Sequence, residues 1–154
     1  SFPEDNLPII ASSMRFINLK QNTSTIYISN EKAPQKGYKS LDMGIIHPAT
    51  LVPKSIYKQI GNYDDRFSIM ADIDWFIRAC KTHQPIYSST IVSTNMCYGG
   101  ISTTSQFKKL YKERTMLYKK HTRNLIEEKL YLSKWCIRHF KNTLYTKIKS
   151  LKHK

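Results

Sequence analysis

The sequence predicts an α/β fold class, and two kinds of segment carry that prediction. Residues 23–29 (TSTIYIS) and the β-rich residues 85–100 have the β-branched and aromatic content of strands. Between and after them, apolar residues recur at helical spacing in 54–61, 72–83 and 105–154. The order of these segments predicts one mixed domain with helices at its C-terminal end.

Composition and charge indicate a globular protein with a basic C-terminal end. The chain has 154 residues, 40% hydrophobic and 23% charged, which fits one globular domain and excludes a disordered or membrane-spanning chain. Residues 103–154 hold 15 Lys or Arg against 3 Glu, whereas residues 1–102 hold 10 against 8 Asp or Glu. We therefore expect a nearly neutral body, residues 1–104, and a basic amphipathic helical tail, residues 105–154. Three widely spaced cysteines indicate reduced thiols of a cytoplasmic protein.

The elements follow in order along the chain. Residues 1–20 are predicted to form a short helix, because Ile10, Met14 and Ile17 recur at three- and four-residue steps. After the strand at 23–29, a loop over 30–40 is expected. An extended segment interrupted by Pro48 is expected at 43–53, followed by a helix at 54–61 that ends at Gly61. A second helix is expected from Asp72 to about His83, and one or two strands at 85–100. Two further helices are expected at 105–122 and from 124 onwards.

Two carboxylates stand at the predicted start of the helix at 72–83. Asp72 and Asp74 would lie in its first turn, with Arg78 one turn after Asp74. Asp is a preferred N-cap, so capping explains Asp72 without any function. A carboxylate at a rigid helix tip also suits an active site, and Trp75 beside it could flank a binding cleft. We expect both roles, a cap whose carboxylate faces a cleft.

Two further features have a functional and a structural interpretation. His47 lies in an apolar stretch, where a single histidine is more often a core or edge residue than a ligand. The sequence has no second histidine at a short spacing from it, so a metal site built from this chain alone is not predicted. The loop GGISTTS, from Gly99, precedes a helix and could bind phosphate at its N-terminus. It matches no known phosphate-binding fingerprint, so a flexible connector is the alternative.

Several blocks together resemble the C-terminal half of a family 2 glycosyltransferase of the bacterial surface-polysaccharide type. They are GIIHPATLVPKSIYKQIGNYDDRFSIMADIDWFIRA and the later GGIS, which cover roughly residues 43–105. The chain departs from the family pattern at Ala71, where Glu is frequent, at Pro48, where Gln is frequent, and at Lys54, where Arg is common. The order of the blocks, more than any one block, carries the resemblance.

The resemblance implies a partial GT-A fold and transfer of a sugar from a nucleotide-sugar donor to a glycan or lipid-linked acceptor, with inversion. Asp72 matches the family's catalytic general base. The other matching residues would line the donor and acceptor sites: His47, Asp74, Trp75, Arg78, Gly99, Gly100 and Ser102. Asp74 is also expected to brace the helix start by pairing with Arg78. The implied divalent cation, Mg²⁺ or Mn²⁺, would have its main ligands outside this chain. The nucleotide-binding half of the domain would also lie outside it.

The basic tail indicates an anionic partner. Ile126, Leu130, Ile137, Leu144, Ile148 and Leu151 fall close to one helical face, and lysines occupy much of the rest. Such a helix fits an anionic membrane surface, which predicts a cytoplasmic protein held peripherally on the inner face of the membrane. A solvated charged face is the plain alternative, and no nucleic-acid-binding signature is present. A non-catalytic membrane- or partner-binding module, or a basic nucleic-acid-binding protein, remain the alternative functions.

Overall fold

The computed structural model describes residues 7–19, 21–32, 41, 43–97, 107–122 and 124–151. Within them the strands are β1 (Ile10–Asn18), β2 (Thr23–Tyr27), β3 (Thr50–Leu51) and β4 (Ile86–Cys97). The α-helices are α1 (Lys54–Ile60), α2 (Ala71–Ala79), α3 (Phe107–His121) and α4 (Leu125–Leu151), and a 3-10 helix, His47–Ala49, precedes β3. The predicted mixed α/β class is confirmed. Its relation to the GT-A fold stays a prediction.

Strand β1 is the centre of the sheet. It pairs antiparallel with β2, with Met14 opposite Tyr27, and antiparallel with the short β3. It pairs parallel with β4, where the register shifts between Ser12 and Met14. These irregularities let the twelve-residue β4 follow β1 as one strand, so the segment predicted as one or two strands is one continuous strand.

The helix predicted for residues 1–20 is wrong, because Ile10–Asn18 forms β1. A central strand that is covered on both faces loses the alternation of apolar and polar residues that marks a half-exposed strand. Four successive residues, Ala11 to Met14, are all buried, including Ser12 and Ser13. Each serine hydroxyl donates a hydrogen bond to a main-chain carbonyl, that of Ala49 or Ser89. Sheet pairing therefore overrides the helical spacing of the apolar residues.

Helix α1 ends as predicted at Gly61. The Gly61 amide donates to the Tyr57 carbonyl at 2.9 Å, and Gly61 has a φ of 81°. This left-handed conformation favours glycine, although nothing within 4 Å would meet an added Cβ. Gly61 is thus required for its backbone conformation and not for space.

Helix α2 does not use Asp72 as its N-cap, which corrects the prediction. Its N-cap is Met70, which makes no side-chain capping bond, and the helix ends at Ala79 and not near His83. The amides of the N-cap residue and of the residue before it are instead satisfied from α3. The buried carboxylate of Glu113 accepts hydrogen bonds from the amides of Ile69 at 2.8 Å and Met70 at 3.0 Å. It also accepts one from the Ser68 hydroxyl at 2.9 Å.

Replacing this cap should destabilise the fold. Burial raises the pKa of the Glu113 carboxyl, but the hydrogen bonds from the amides and the Ser68 hydroxyl outweigh it and leave that pKa lowered. We expect Glu113→Gln to lose about 1–3 kcal/mol in free energy of unfolding, because the amide group cannot accept all three bonds as the carboxylate does. Urea unfolding followed by circular dichroism measures the loss. Glu31→Gln, the same change at an exposed position, should stay within about 0.5 kcal/mol; equal effects of the two variants would refute the capping role.

The buried core lies on both sides of α2. One cluster joins α2 to α3 and consists of Leu41, Met43, Phe67, Met70, Ile77, Cys80, Leu117 and Tyr118. The other, Ile9, Ile56, Trp75, Phe76 and Ala79, joins α2 to α1 and to the residue just before β1. Helix α3 therefore shares a core with residues of the predicted body, and Tyr131 of α4 packs against the edge of that core.

Helix α4 packs on α3 through aromatic rings. The Trp135 ring stacks on Phe107 with centroids 5.4 Å apart, and Tyr131 stacks on Tyr118 at 5.1 Å. The Arg114 guanidinium lies over the Trp135 ring, 5.0 Å from its centroid. None of the helices in the described part of the chain combines the length and apolar character needed to cross a bilayer.

Candidate active site

The two carboxylates at the start of α2 lie in different surroundings. Asp72 and Asp74 are two positions apart, so their side chains leave the helix about 200° apart around its axis. The Asp72 side chain is 35% exposed, whereas that of Asp74 is completely buried. The two aspartates that the sequence grouped as one motif therefore have separate roles.

Asp72 faces His47 across the exposed side of this region. Its Oδ2 lies 3.5 Å from His47 Nδ1, and its Oδ1 accepts a hydrogen bond from the Ile73 amide at 2.8 Å. The imidazole is also accessible, with 44% of the side chain exposed. The structure thus brings together two residues that lie far apart in the sequence and that were both predicted as site residues.

Two tyrosines extend this pair. The Tyr63 hydroxyl lies 3.4 Å from His47 Nε2 and 3.1 Å from the Tyr57 hydroxyl. Burial, the hydrogen bond with Tyr57 and the nearby Asp72 raise the pKa of Tyr63. Tyr63 therefore keeps its proton and can donate a hydrogen bond near neutral pH. We call Asp72, His47, Tyr63 and Tyr57 the Asp72 cluster. Its two tyrosines were not predicted from the sequence, although both lie in the block that carries the resemblance.

Asp74 is the centre of a buried ion-pair cluster. Its Oδ1 lies 2.7 Å from Lys120 Nζ and 2.8 Å from His121 Nε2, and its Oδ2 lies 3.0 Å from Arg78 Nε. Burial raises the pKa of the Asp74 carboxyl, but the hydrogen bonds from His121, Lys120 and Arg78 outweigh it and lower that pKa to about 2. The predicted pairing of Asp74 with Arg78 is confirmed. The two partners from α3 were not predicted, because nothing local in the sequence links them to α2.

Arg78 and Trp75 hold the end of α1 against α2. The two terminal guanidinium nitrogens of Arg78 donate to the carbonyls of Ile60 and Asn62, both at 2.8 Å. The Trp75 indole donates to the Gly61 carbonyl at 2.8 Å. These bonds satisfy carbonyls that a helix end leaves without partners. Trp75 is completely buried, so it lies in the core and does not flank a cleft as predicted.

Asp64 ties the preceding loop to α3. Its carboxylate contacts both Arg66, with Nη2 at 2.6 Å, and Lys120, with Nζ at 2.8 Å. These two partners lower the pKa of the Asp64 carboxyl well below its usual range. Lys120 therefore bridges Asp64 and Asp74, and this bridge joins the loop, α2 and the end of α3.

Asp64 and Asp74 do not fit the divalent cation that the resemblance implies, whose main ligands are expected outside this chain. Asp64 and Asp74 are already neutralised by protein cations, and Asp72 has a histidine beside it. No group of three metal-ligating side chains occurs in the described ranges. A metal ion held by Asp64 or Asp74 would have to displace Arg66, Lys120 or Arg78. The predicted residues Gly99, Gly100 and Ser102 lie outside the described residues.

The comparisons with known proteins leave the family as a prediction. Searches of known protein families, of curated proteins and of solved structures find no match. The resemblance to family 2 glycosyltransferases therefore rests on the order of its sequence blocks. The site itself can be described from its geometry: an accessible carboxylate beside an imidazole, backed by tyrosine hydroxyls and by a buried ion-pair cluster.

Proposed function

We propose that this chain is the acceptor-side part of an inverting glycosyltransferase and that Asp72 is its general base. The observation that carries the proposal is the accessible pair of Asp72 and His47, 3.5 Å apart. The resemblance assigns both residues to the site from positions 25 residues apart in one block of sequence, and their proximity is what a shared site requires. The buried Trp75 ring packs against the rings of Tyr57 and Tyr63 and so supports the Asp72 cluster, whereas Asp74 and Arg78 pair with each other.

The reaction would use the Asp72 carboxylate to remove one proton. The acceptor hydroxyl gives its proton to Asp72 Oδ2 while its oxygen forms a bond to the anomeric carbon of the donor sugar. The bond from that carbon to the nucleoside diphosphate breaks on the opposite face, and the diphosphate leaves with the bonding electrons. The proton can move late, after the new bond has begun to form, so a strong base is not required.

The neighbours of Asp72 would orient it. The Ile73 amide holds Oδ1, which leaves Oδ2 directed towards His47 and the accessible side. The imidazole is itself held between Asp72 and the Tyr63 hydroxyl. His47 is therefore a positioning residue for the carboxylate and presents a polar group to an acceptor sugar.

The proposal includes a place in the cell. Residues 103–154 contain 15 Lys or Arg and 3 Glu. This excess of positive charge favours a cytoplasmic protein held peripherally on an anionic membrane face. A lipid-linked acceptor would lie at the same surface, so the base and its substrate would share one location.

The activity itself is the first test. The full-length protein carrying this chain is incubated with labelled UDP-, GDP- and dTDP-sugars and a bacterial lipid extract, and glycolipid formation is followed. We expect transfer from one donor class, and a new linkage whose anomeric configuration is opposite to that of the donor by NMR. Retention of configuration, or no binding of any nucleotide sugar by calorimetry, would refute the proposal and favour the non-catalytic module.

A further inference from the structure

Helix α4 has two apolar faces, and only one of them is covered. The inner face carries Tyr131, Trp135 and His139, whose rings pack on α3 or on one another. The opposite face consists of Ile126, Leu130, Ile137, Phe140 and Leu144, which we call the outer stripe. The Phe140 ring lies at the edge of this stripe and also contacts the Phe107 ring of α3, with centroids 5.6 Å apart. Its side chains are exposed, from 54% for Leu130 to 80% for Ile126. The aliphatic face that an amphipathic helix normally buries is therefore the one that faces solvent.

The outer stripe is continuous along the helix. Its members follow each other at steps of four, seven, three and four residues, which keeps them on one side of the axis. From Ile126 to Leu144 the stripe extends for roughly 27 Å. The predicted stripe members Ile148 and Leu151 have side chains outside the described part. An apolar surface of this length and regularity indicates a binding surface and not scattered exposed residues.

Lysines border the outer stripe on both sides. Lys129 lies along one border, and Lys134 and Lys141 lie along the other, each about 60–80° around the axis from the centre of the stripe. All three are exposed. The borders hold a single acidic residue, Glu127. The surface is thus apolar in the middle and cationic at its edges.

The arrangement of apolar and charged side chains favours one kind of binding partner for the outer stripe over the others. In a parallel pair with a second copy, Lys129 of one helix would face Lys134 of the other, and like charges at such positions are unfavourable. Nucleic acid would satisfy the lysines, but its phosphates would leave the four aliphatic side chains of the outer stripe without apolar partners. An anionic lipid surface satisfies both parts, because acyl chains receive the apolar side chains while lysine stems reach out to the headgroups.

We propose that the outer stripe docks on an anionic membrane, with α4 parallel to the surface and the three bordering lysines among the lipid phosphates. The inner aromatic face stays packed on α3, so the membrane contacts the helix without unpacking it. The contact concerns α4 alone: it rests on the membrane location proposed above and not on the reaction assigned to Asp72. It adds the contact face and the headgroup contacts to the general attraction expected from the net charge.

The test compares two isoleucines with the same exposure. Ile137 of the outer stripe and Ile91 of β4 are each 58% exposed. Full-length protein is sedimented with vesicles of phosphatidylcholine and phosphatidylglycerol, and with phosphatidylcholine vesicles alone. We expect Ile137→Asn to weaken binding to the anionic vesicles about tenfold, because its side chain no longer inserts. Ile91→Asn should bind as the wild type does.

Charge variants complete the test. Lys134→Gln and Lys141→Gln should each weaken binding about fivefold, and raised salt should weaken it further. Lys58→Gln, on α1, should leave binding unchanged. Equal binding to neutral vesicles, or Ile137→Asn and Ile91→Asn behaving alike, would overturn the proposal. So would a concentration-dependent dimer, or tight DNA binding, that Ile137→Asn abolishes in place of vesicle binding.

Discussion

Asp74→Ala should lower the free energy of unfolding by about 3–5 kcal/mol, the largest stability effect that we expect in this chain. The substitution leaves Arg78, Lys120 and His121 beside a site from which their shared carboxylate has gone. It also breaks the link between the start of α2 and the end of α3. Urea unfolding followed by far-ultraviolet circular dichroism measures the loss.

Two variants separate the role of the charge from a general effect of mutation. Asp74→Asn keeps the shape and should still be clearly destabilising, and it remains measurable if the alanine variant does not fold. Asp65→Ala removes an exposed carboxylate from the neighbouring loop and should change stability by less than about 0.5 kcal/mol. If Asp74→Ala and Asp65→Ala unfold at the same urea concentration, the buried cluster does not stabilise the fold.

The contribution of Asp74 should depend on pH in a defined direction. Its folded-state pKa is about 2, below the ordinary value of 3.8. A lowered carboxyl pKa stabilises the folded state in full above the unfolded pKa, and this stabilisation is lost as the pH falls through the folded value. The difference in stability between wild type and Asp74→Asn should therefore be constant above about pH 5 and shrink towards pH 2.

Asp72→Asn should reduce sugar transfer about 10²–10⁴-fold while the protein stays folded. The amide cannot take the proton of the acceptor hydroxyl, but it occupies the same space at the accessible start of α2. Donor binding should change little, because the proposed role of Asp72 concerns the acceptor. The measurement is kcat for transfer in the full-length protein, together with donor affinity by calorimetry.

Asp65→Asn is the matched control for this variant. It makes the same chemical change at an exposed carboxylate on the loop before α2, outside the Asp72 cluster, and should leave kcat unchanged. Wild-type turnover by Asp72→Asn would refute the base assignment. Loss of donor binding in Asp72→Asn would instead assign the residue to the donor site.

The elements that sequence predicted well are those whose signals are local. Gly61 ends α1 because its positive φ is a property of one residue and its neighbours. Strand β2 and helices α3 and α4 follow from composition and spacing within each segment. Strand β1 was mistaken for a helix because its strand conformation depends on pairing with β2 and β4, which lie elsewhere in the chain.

The candidate site shows the same division. The sequence singled out Asp72, Asp74 and Arg78 because they share one helix, and their spacing predicted the pair between Asp74 and Arg78. It could not show that Asp72 faces His47, or that Trp75 is buried, since both depend on how α2 packs against earlier segments. Glu113 is the single acidic residue of the lysine-rich α3, a signal that could have indicated a special role.

By itself, then, the sequence determined the mixed class, the basic C-terminal end and the region around α2 as the place to look for function. Only the tertiary structure decided which aspartate is accessible and which is buried, and which face of α4 remains exposed. The physical reason is distance along the chain. Local backbone preferences and helical spacing are properties of neighbouring residues, whereas burial, ion pairing and capping of α2 depend on α3, more than 40 residues away.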